Sequence, residues 1–119
     1  MNTVAIRGAI TVNENNSEDI IDSTIELIKE IEKRNKIDPN SVISILFSTT
    51  KDLNAEYPAK AARLMGYTKA ALMCFNEMEV VRSLKKCIRV MILCNSNMEQ
   101  NQVSHVYLRD ASILRPDLK

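Results

Sequence analysis

Cys87-Ile88-Arg89-Val90-Met91-Ile92-Leu93-Cys94 is the most apolar run in this 119-residue chain, and a cation stands inside it. A run this short and this rich in β-branched and large apolar side chains reads as a strand buried on both faces. Arginine is almost never buried without a partner, because stripping the guanidinium of water costs several kcal/mol. An anion is therefore expected at Arg89, either a protein carboxylate or a ligand. The pattern recurs near the N-terminus, where Thr3-Val4-Ala5-Ile6-Arg7-Gly8-Ala9-Ile10-Thr11-Val12 carries Arg7. Two cations in two apolar strands make an anion site the first expectation.

The surrounding sequence supplies the layers. Residues 3–12 alternate, with Val4, Ile6, Gly8, Ile10 and Val12 on one face and Thr3, Ala5, Arg7, Ala9 and Thr11 on the other. Ser17 or Asn16 caps a helix whose first turn holds Glu18 and Asp19. That helix carries Ile20, Ile21, Thr24, Leu27, Ile28 and Ile31 at helical spacing and ends among Lys33, Arg34 and Lys36. After an Asp38-Pro39-Asn40 turn, Val42 to Thr50 reads as a buried strand. A shorter helix begins with Pro58 in its first turn and stops at Gly66, placing Lys60 and Arg63 on one face. Ala70 to Phe75, Cys87 to Cys94 and Val103 to Leu108 are further strands, the last with Val103, His105 and Tyr107 on one side. The order β-α-β-α-β-β-β predicts an α/β (α+β) domain spanning 1–119, a mixed sheet with helices on one face. The strands are apolar on both sides, so an oligomer is expected to cover the second face. Residues 109–119 are expected to form a mobile C-terminal tail.

Composition narrows the chemistry. A mass of 13.5 kDa allows one core and not two. A net charge of +1 with no Lys/Arg block excludes a general nucleic-acid binder. Aromatics at 4% and no Trp leave no base-stacking platform. No apolar stretch approaches the roughly 20 residues of a membrane span, and the N-terminus lacks the features of a signal peptide. Cys74, Cys87 and Cys94 have no metal-ligand spacing and read as reduced thiols of a cytoplasmic protein. With only Gly8 and Gly66, no dinucleotide fingerprint or phosphate loop can form. The single His105 cannot build a His-rich metal site, and no nucleophile elbow accompanies it. It reads as a partly exposed strand residue. Neither a metal nor a cofactor is expected.

What remains is a set of cations, Arg7, Lys60, Arg63, Arg89 and Arg115, with Glu77 and Tyr107. Lys60 and Arg63 can be read as a solvated helix face, Arg115 as a free tail residue and Tyr107 as packing. Glu77 is either the ion partner of Arg89 or a ligand contact in its own right. Many cations with no evident general base suit a small dicarboxylate, and a reaction that moves charge but no proton.

Several collinear segments carry a resemblance. Ala5-Ile6-Arg7-Gly8-Ala9-Ile10-Thr11-Val12, Tyr57-Pro58-Ala59-Lys60-Ala61-Ala62-Arg63, Cys74-Phe75-Asn76-Glu77-Met78-Glu79-Val80, Leu84-Lys85-Lys86-Cys87-Ile88-Arg89-Val90-Met91, His105-Val106-Tyr107-Leu108 and Leu114-Arg115-Pro116-Asp117-Leu118 closely resemble the monofunctional bacterial chorismate mutases of the trimeric α/β type. The resemblance spans essentially the whole chain in the family's order. It implies a homotrimeric pseudo-barrel with interfacial sites, converting chorismate to prephenate by a Claisen rearrangement on the way to phenylalanine and tyrosine. It implies that Arg89 bonds the ether oxygen and a carboxylate, that Arg7 and Tyr107 hold a carboxylate, and that Glu77 and the Cys74 backbone take the ring hydroxyl. Tyr57, Ala59, Lys60, Arg63 and Met73 would form a wall from the neighbouring chain, with Leu114 and Arg115 over the mouth. The chain departs from the family pattern in three places. Tyr57 stands where Phe is familiar, Met73 where Thr precedes the Cys, and Val81-Arg82-Ser83 where a Gly-containing turn is expected. Trimeric imine deaminases share a similar architecture but not these motifs, and a non-catalytic metabolite-binding trimer is the other reading open at this point.

Overall fold

The computed structural model describes residues 1–114. Strand β1 (Asn2–Thr11) leads to helix α1 (Ser17–Asn35), strand β2 (Val42–Thr49), helix α2 (Ala59–Leu64) and strands β3 (Ala71–Asn76), β4 (Cys87–Ser96) and β5 (Val106–Leu108). Short 3₁₀ turns cover Pro39–Ser41, Gln100–Gln102 and Arg109–Leu114. The sheet runs in the order β3-β2-β4-β1-β5. β4 lies antiparallel between β1 and β2, while β3 and β5 add parallel edges to β2 and β1. The mixed sheet with its helices on one face is as the element order predicts.

Local chemistry accounts for the boundaries. Asn16 caps α1, its side-chain oxygen accepting from the Asp19 amide at 2.8 Å. Lys36 closes the helix in the left-handed conformation at φ 52°, donating its amide to the Glu32 carbonyl. Gly66, at φ 95°, ends the turn after α2 where a side chain would be strained. Gly8 is required for a different reason. A Cβ built there would stand 2.8 Å from Ile31 Cδ1 and 3.1 Å from the Val106 carbonyl, so only glycine lets α1 and β5 approach β1 this closely.

The core fills the space between the sheet and the helices. Ile6, Ile10, Ile45, Phe47, Ile88 and Ile92 from the strands meet Ile20, Leu27, Ile28 and Ile31 from α1, all fully buried. Ala59 and Ala62 bring α2 onto the same layer.

Within one chain β4 is covered on its helix side only, which leaves its second face for the expected oligomer, and one other expectation is corrected. Ile88, Val90, Ile92 and Cys94 face the helices, whereas Arg89 faces the open side with 44% of its side chain exposed. Met73 and Phe75 share that open side, 57% and 46% exposed. The strand expected from Val103 is also shorter, beginning only at Val106. Asn35 explains the delay, since its Nδ2 donates to the Ser104 carbonyl at 2.9 Å and its Oδ1 accepts from the Ser104 amide at 2.7 Å. His105 is likewise diverted from the ladder, its Nδ1 accepting from the Arg7 amide at 2.9 Å. Side chains there take up the backbone groups that strand pairing would otherwise satisfy.

Candidate active site

Strand parity assembles the site. Ser48 on β2 pairs with Arg89 on β4, Arg89 with Ala9 on β1, and Ala9 with Tyr107 on β5. These four residues form one transverse row across the open face, spaced by the roughly 4.8 Å between neighbouring strands. Arg7 lies two residues from Ala9 on the same side of β1. Arg7, Ser48, Phe75, Glu77, Arg89 and Tyr107 all line one cleft of about 280 Å³.

Glu77 enters the cleft from the end of β3, where its amide donates to the Thr49 carbonyl at 2.8 Å. Its Oε1 accepts a hydrogen bond from Ser48 and lies 3.6 Å from Arg89 Nε. The carboxylate therefore meets the guanidinium at ion-pair range while being held from the side by a hydroxyl. The loop between Glu77 and Arg89 is pinned at its return. Asp52 accepts from the Lys86 amide with both oxygens, at 3.1 and 3.0 Å, and Thr50 Oγ1 accepts from the Cys87 amide at 3.0 Å. A turn within this loop closes with the Ser83 amide on the Val80 carbonyl and holds Arg82 at φ 67°. That conformation explains why a glycine is expected there and why Val81-Arg82-Ser83 stands out.

Leu114 reaches the same region. With Leu84 and Tyr107 it packs on a small buried cluster of Ala9, Cys87 and Ala111. Burial pushes the Cys87 thiol up to about 11 despite the nearby Arg89 guanidinium, so it is a neutral packing group at physiological pH. Of the tail expected over 109–119, Arg109–Leu114 folds as a 3₁₀ turn with Ala111 fully buried. Arg115 lies outside the described residues.

Tyr57, Ala59, Lys60, Arg63 and Cys74 gather elsewhere. Cys74 pairs with Phe47 and so takes the helix side of the sheet, beside the α2 start. Burial raises its thiol pKa, against the opposing pull of the Ala59 amide and Arg63. Tyr57, Pro58 and Cys74 line a second groove of about 410 Å³, with Tyr57 68% exposed. Ala59 is buried in the core, and Lys60 pairs with Glu56 at 3.4 Å on the surface. Met73 belongs to the open face, opposite Leu46. The two groups thus lie on opposite sides of edge strand β3.

Sequence reasoning missed Ser48 and His105 as supports of the cleft. Ser48 was visible as a polar residue in an apolar strand, in phase with the open face. Nothing in the sequence signalled that His105 would accept the Arg7 amide. Among the described residues, no three His, Cys, Asp or Glu side chains come together as a metal site. No described helix is long and apolar enough to cross a membrane.

Two arginines and a braced carboxylate on the face of a mixed sheet make this an α/β protein with a cleft lined by charged side chains. A family model described as "Chorismate mutase type I" matches residues 3–118, and the chain belongs to that family. It is 44% identical to chorismate mutase AroH of Bacillus subtilis (strain 168) over 114 residues, covering 95% of this chain and 90% of the relative. It is 42% identical to chorismate mutase AroH of Thermus thermophilus over 115 residues, covering 96% and 94%. A solved chorismate mutase structure from Clostridium thermocellum superposes with a TM-score of 0.89 at 48% identity, covering 92% of this chain and 97% of that one.

Proposed function

We propose that the chain is a chorismate mutase whose cleft rearranges chorismate to prephenate, with Arg89 as the central catalytic group. The observation that carries this is the Arg89 guanidinium, presented half-exposed on the open face beside Glu77, which Ser48 in turn holds. In the rearrangement an ether C–O bond breaks as a C–C bond forms, and no proton leaves. Negative charge gathers on the ether oxygen in the transition state. A guanidinium fixed at that oxygen stabilises the transition state more than the substrate, which is the condition for raising the rate. Arg7 and Tyr107 hold a carboxylate from β1 and β5, and Glu77 takes the ring hydroxyl. Holding the side chain over the ring adds an orientation term. Leu114 borders the mouth of the cleft in this reading.

Tyr57, Ala59, Lys60, Arg63, Met73 and the Cys74 backbone complete the wall in this reading, supplied by a neighbouring chain of a homotrimer. The separation of Tyr57, Ala59, Lys60, Arg63 and Cys74 from the cleft residues across β3 supports it, as do exposed Met73 and Phe75 on the open face. A trimer runs at about 40 kDa, three times the 13.5 kDa chain. The free thiols Cys74, Cys87 and Cys94 support a cytoplasmic setting.

Mixing the purified protein with chorismate and following its ultraviolet absorbance tests the activity. Decay to prephenate is expected, and an unchanged spectrum would sink the assignment. Turnover should be nearly flat between about pH 6 and 9 and insensitive to solvent deuterium, because the chemical step moves no proton. A bell-shaped profile near neutrality would instead implicate Glu77 as an acid–base group. To test the shared site, Arg89→Ala and Tyr57→Asp chains are co-refolded in equal amounts. About a quarter of interfaces then pair two unmutated halves by combinatorics in a cyclic trimer, and activity should return toward that fraction. Confirmed mixed trimers without recovery would mean that each site lies within one chain.

A further inference from the structure

The turn leaving β5 is held in an unusual way. Arg109 has φ 55°, a left-handed conformation that disfavours any side chain. Its guanidinium reaches back to the other end of the chain. Nη1 donates to the Thr11 carbonyl at 2.9 Å and to the Ser23 hydroxyl at 3.2 Å, and Nη2 meets Glu26 Oε1 at 2.8 Å. The next residue adds a fourth tie, the Asp110 amide donating to Thr11 Oγ1 at 3.2 Å. Thr11 ends β1 and Ser23 lies buried on α1, so the turn is fastened to both main layers of the fold.

What the turn joins gives the clamp its meaning. Two residues before it stands Tyr107, in the cleft with Arg7, Glu77 and Arg89. Two residues after it, Ala111 is fully buried against Ala9 and Cys87, and Leu114 packs on the same cluster. The Glu26 pair on its own is weak, since its side chains are 35% and 51% exposed and water screens them. The specific element is the fork, which serves a carbonyl, a hydroxyl and a carboxylate at once, a geometry that lysine cannot reproduce.

We propose that Arg109 is a positioning residue whose clamp on Thr11, Ser23 and Glu26 fixes the turn that aims Tyr107 into the cleft and seats Ala111–Leu114 beside it. The clamp prepays the ordering of that segment, so its loss is felt when the ligand binds and much less in the chemical step. The activity readout rests on the chorismate mutase reading; the clamp itself does not.

The test compares three variants of the full chain. Arg109→Gly accepts the positive φ without strain and removes only the fork. Arg109→Lys keeps the charge, and Glu26→Gln removes only the exposed ion pair. The KM for chorismate should rise about tenfold in Arg109→Gly, with kcat within about threefold. Arg109→Lys should fall between that and wild type, and Glu26→Gln should stay within about twofold. Hydrogen exchange should show faster opening of the 110–114 amides in Arg109→Gly while the β1 and β4 amides stay protected. An unchanged KM with an active wild type would overturn the proposal. So would a rise in KM accompanied by loss of protection across the whole sheet, which marks a merely structural residue. If wild type leaves chorismate untouched, the enzyme reading fails, and unchanged exchange of the 110–114 amides in Arg109→Gly would separately overturn the clamp.

Discussion

The two faces of the sheet are made by the same strands and differ in what covers them. Toward the helices, Ile88, Val90 and Ile92 on β4 are sealed by α1 and its neighbours. One residue out of phase, Arg89 and Met91 look onto the open side, beside exposed Met73 and Phe75. A single strand thus carries a finished core on one parity and an unfinished surface on the other. The proposed chemistry stands on the unfinished parity, where the packing of one chain stops. A charge there keeps part of its water until a ligand or a second chain removes it, which lowers the cost of building it into an apolar strand.

Exchanging the outcome between the faces is the strongest way to break this contrast. Arg89→Ala should lower turnover by roughly 3–4 kcal/mol of transition-state stabilisation, at least a hundredfold, and leave stability within about 0.5 kcal/mol. Arg89→Lys should also be poor, because a point charge replaces a planar fork. Three residues along the same strand, Ile92→Ala should cost about 2–5 kcal/mol of stability in urea unfolding while the folded fraction keeps its activity. If Arg89→Ala stayed within tenfold of wild-type activity, the mechanism would be refuted.

Ser48→Ala probes the support of the site rather than the site. A hydrogen bond to a charged group contributes about 1.5–3 kcal/mol, so kcat/KM should fall at least tenfold as Glu77 is freed to close onto Arg89. Ser48→Thr, which keeps the hydroxyl, should recover most of the loss. Equal activity in the alanine and threonine variants would remove Ser48 from the account. Gly8→Ala tests the covered face by overfilling it. The new methyl would meet Ile31 and the Val106 carbonyl, costing about 1–3 kcal/mol by chemical denaturation. An unchanged midpoint would mean that α1 can shift freely. The smallest effect belongs to the loop above the cleft. Arg82→Gly should stabilise the chain by about 1 kcal/mol, seen as a raised melting temperature, because a left-handed position no longer carries a Cβ.

Much of this architecture was legible because side-chain parity and helical spacing are local signals. The alternation over residues 3–12, the Asn16 cap and the Gly66 stop all matched the folded elements. The cover of β4 was only half legible, because an apolar run reports what a residue could bury, not what provides the cover. The start of β5 was misjudged. Asn35 replaces a ladder partner with an amide from a distant helix, and no window of sequence around Ser104 contains that information. Candidate site residues were chosen by charge in an apolar setting, which draws attention to Arg7 and Arg89 but not to Ser48, which bonds Glu77, or His105, which accepts the Arg7 amide.

The row Ser48, Arg89, Ala9 and Tyr107 has a consequence for how the protein is made. His105 and the Arg7 amide that it receives are 98 positions apart in the chain. Every member of the row is brought into line by strand pairings between distant segments, the slowest kind of contact to establish because a long loop must close first. On a ribosome, β1 waits beside α1 with both edges unpaired until β4 and then β5 have been synthesised. Regain of activity on refolding should therefore lag behind regain of helix, and a one-residue slip of β5 against β1 would turn Tyr107 toward the core and leave a folded but silent protein.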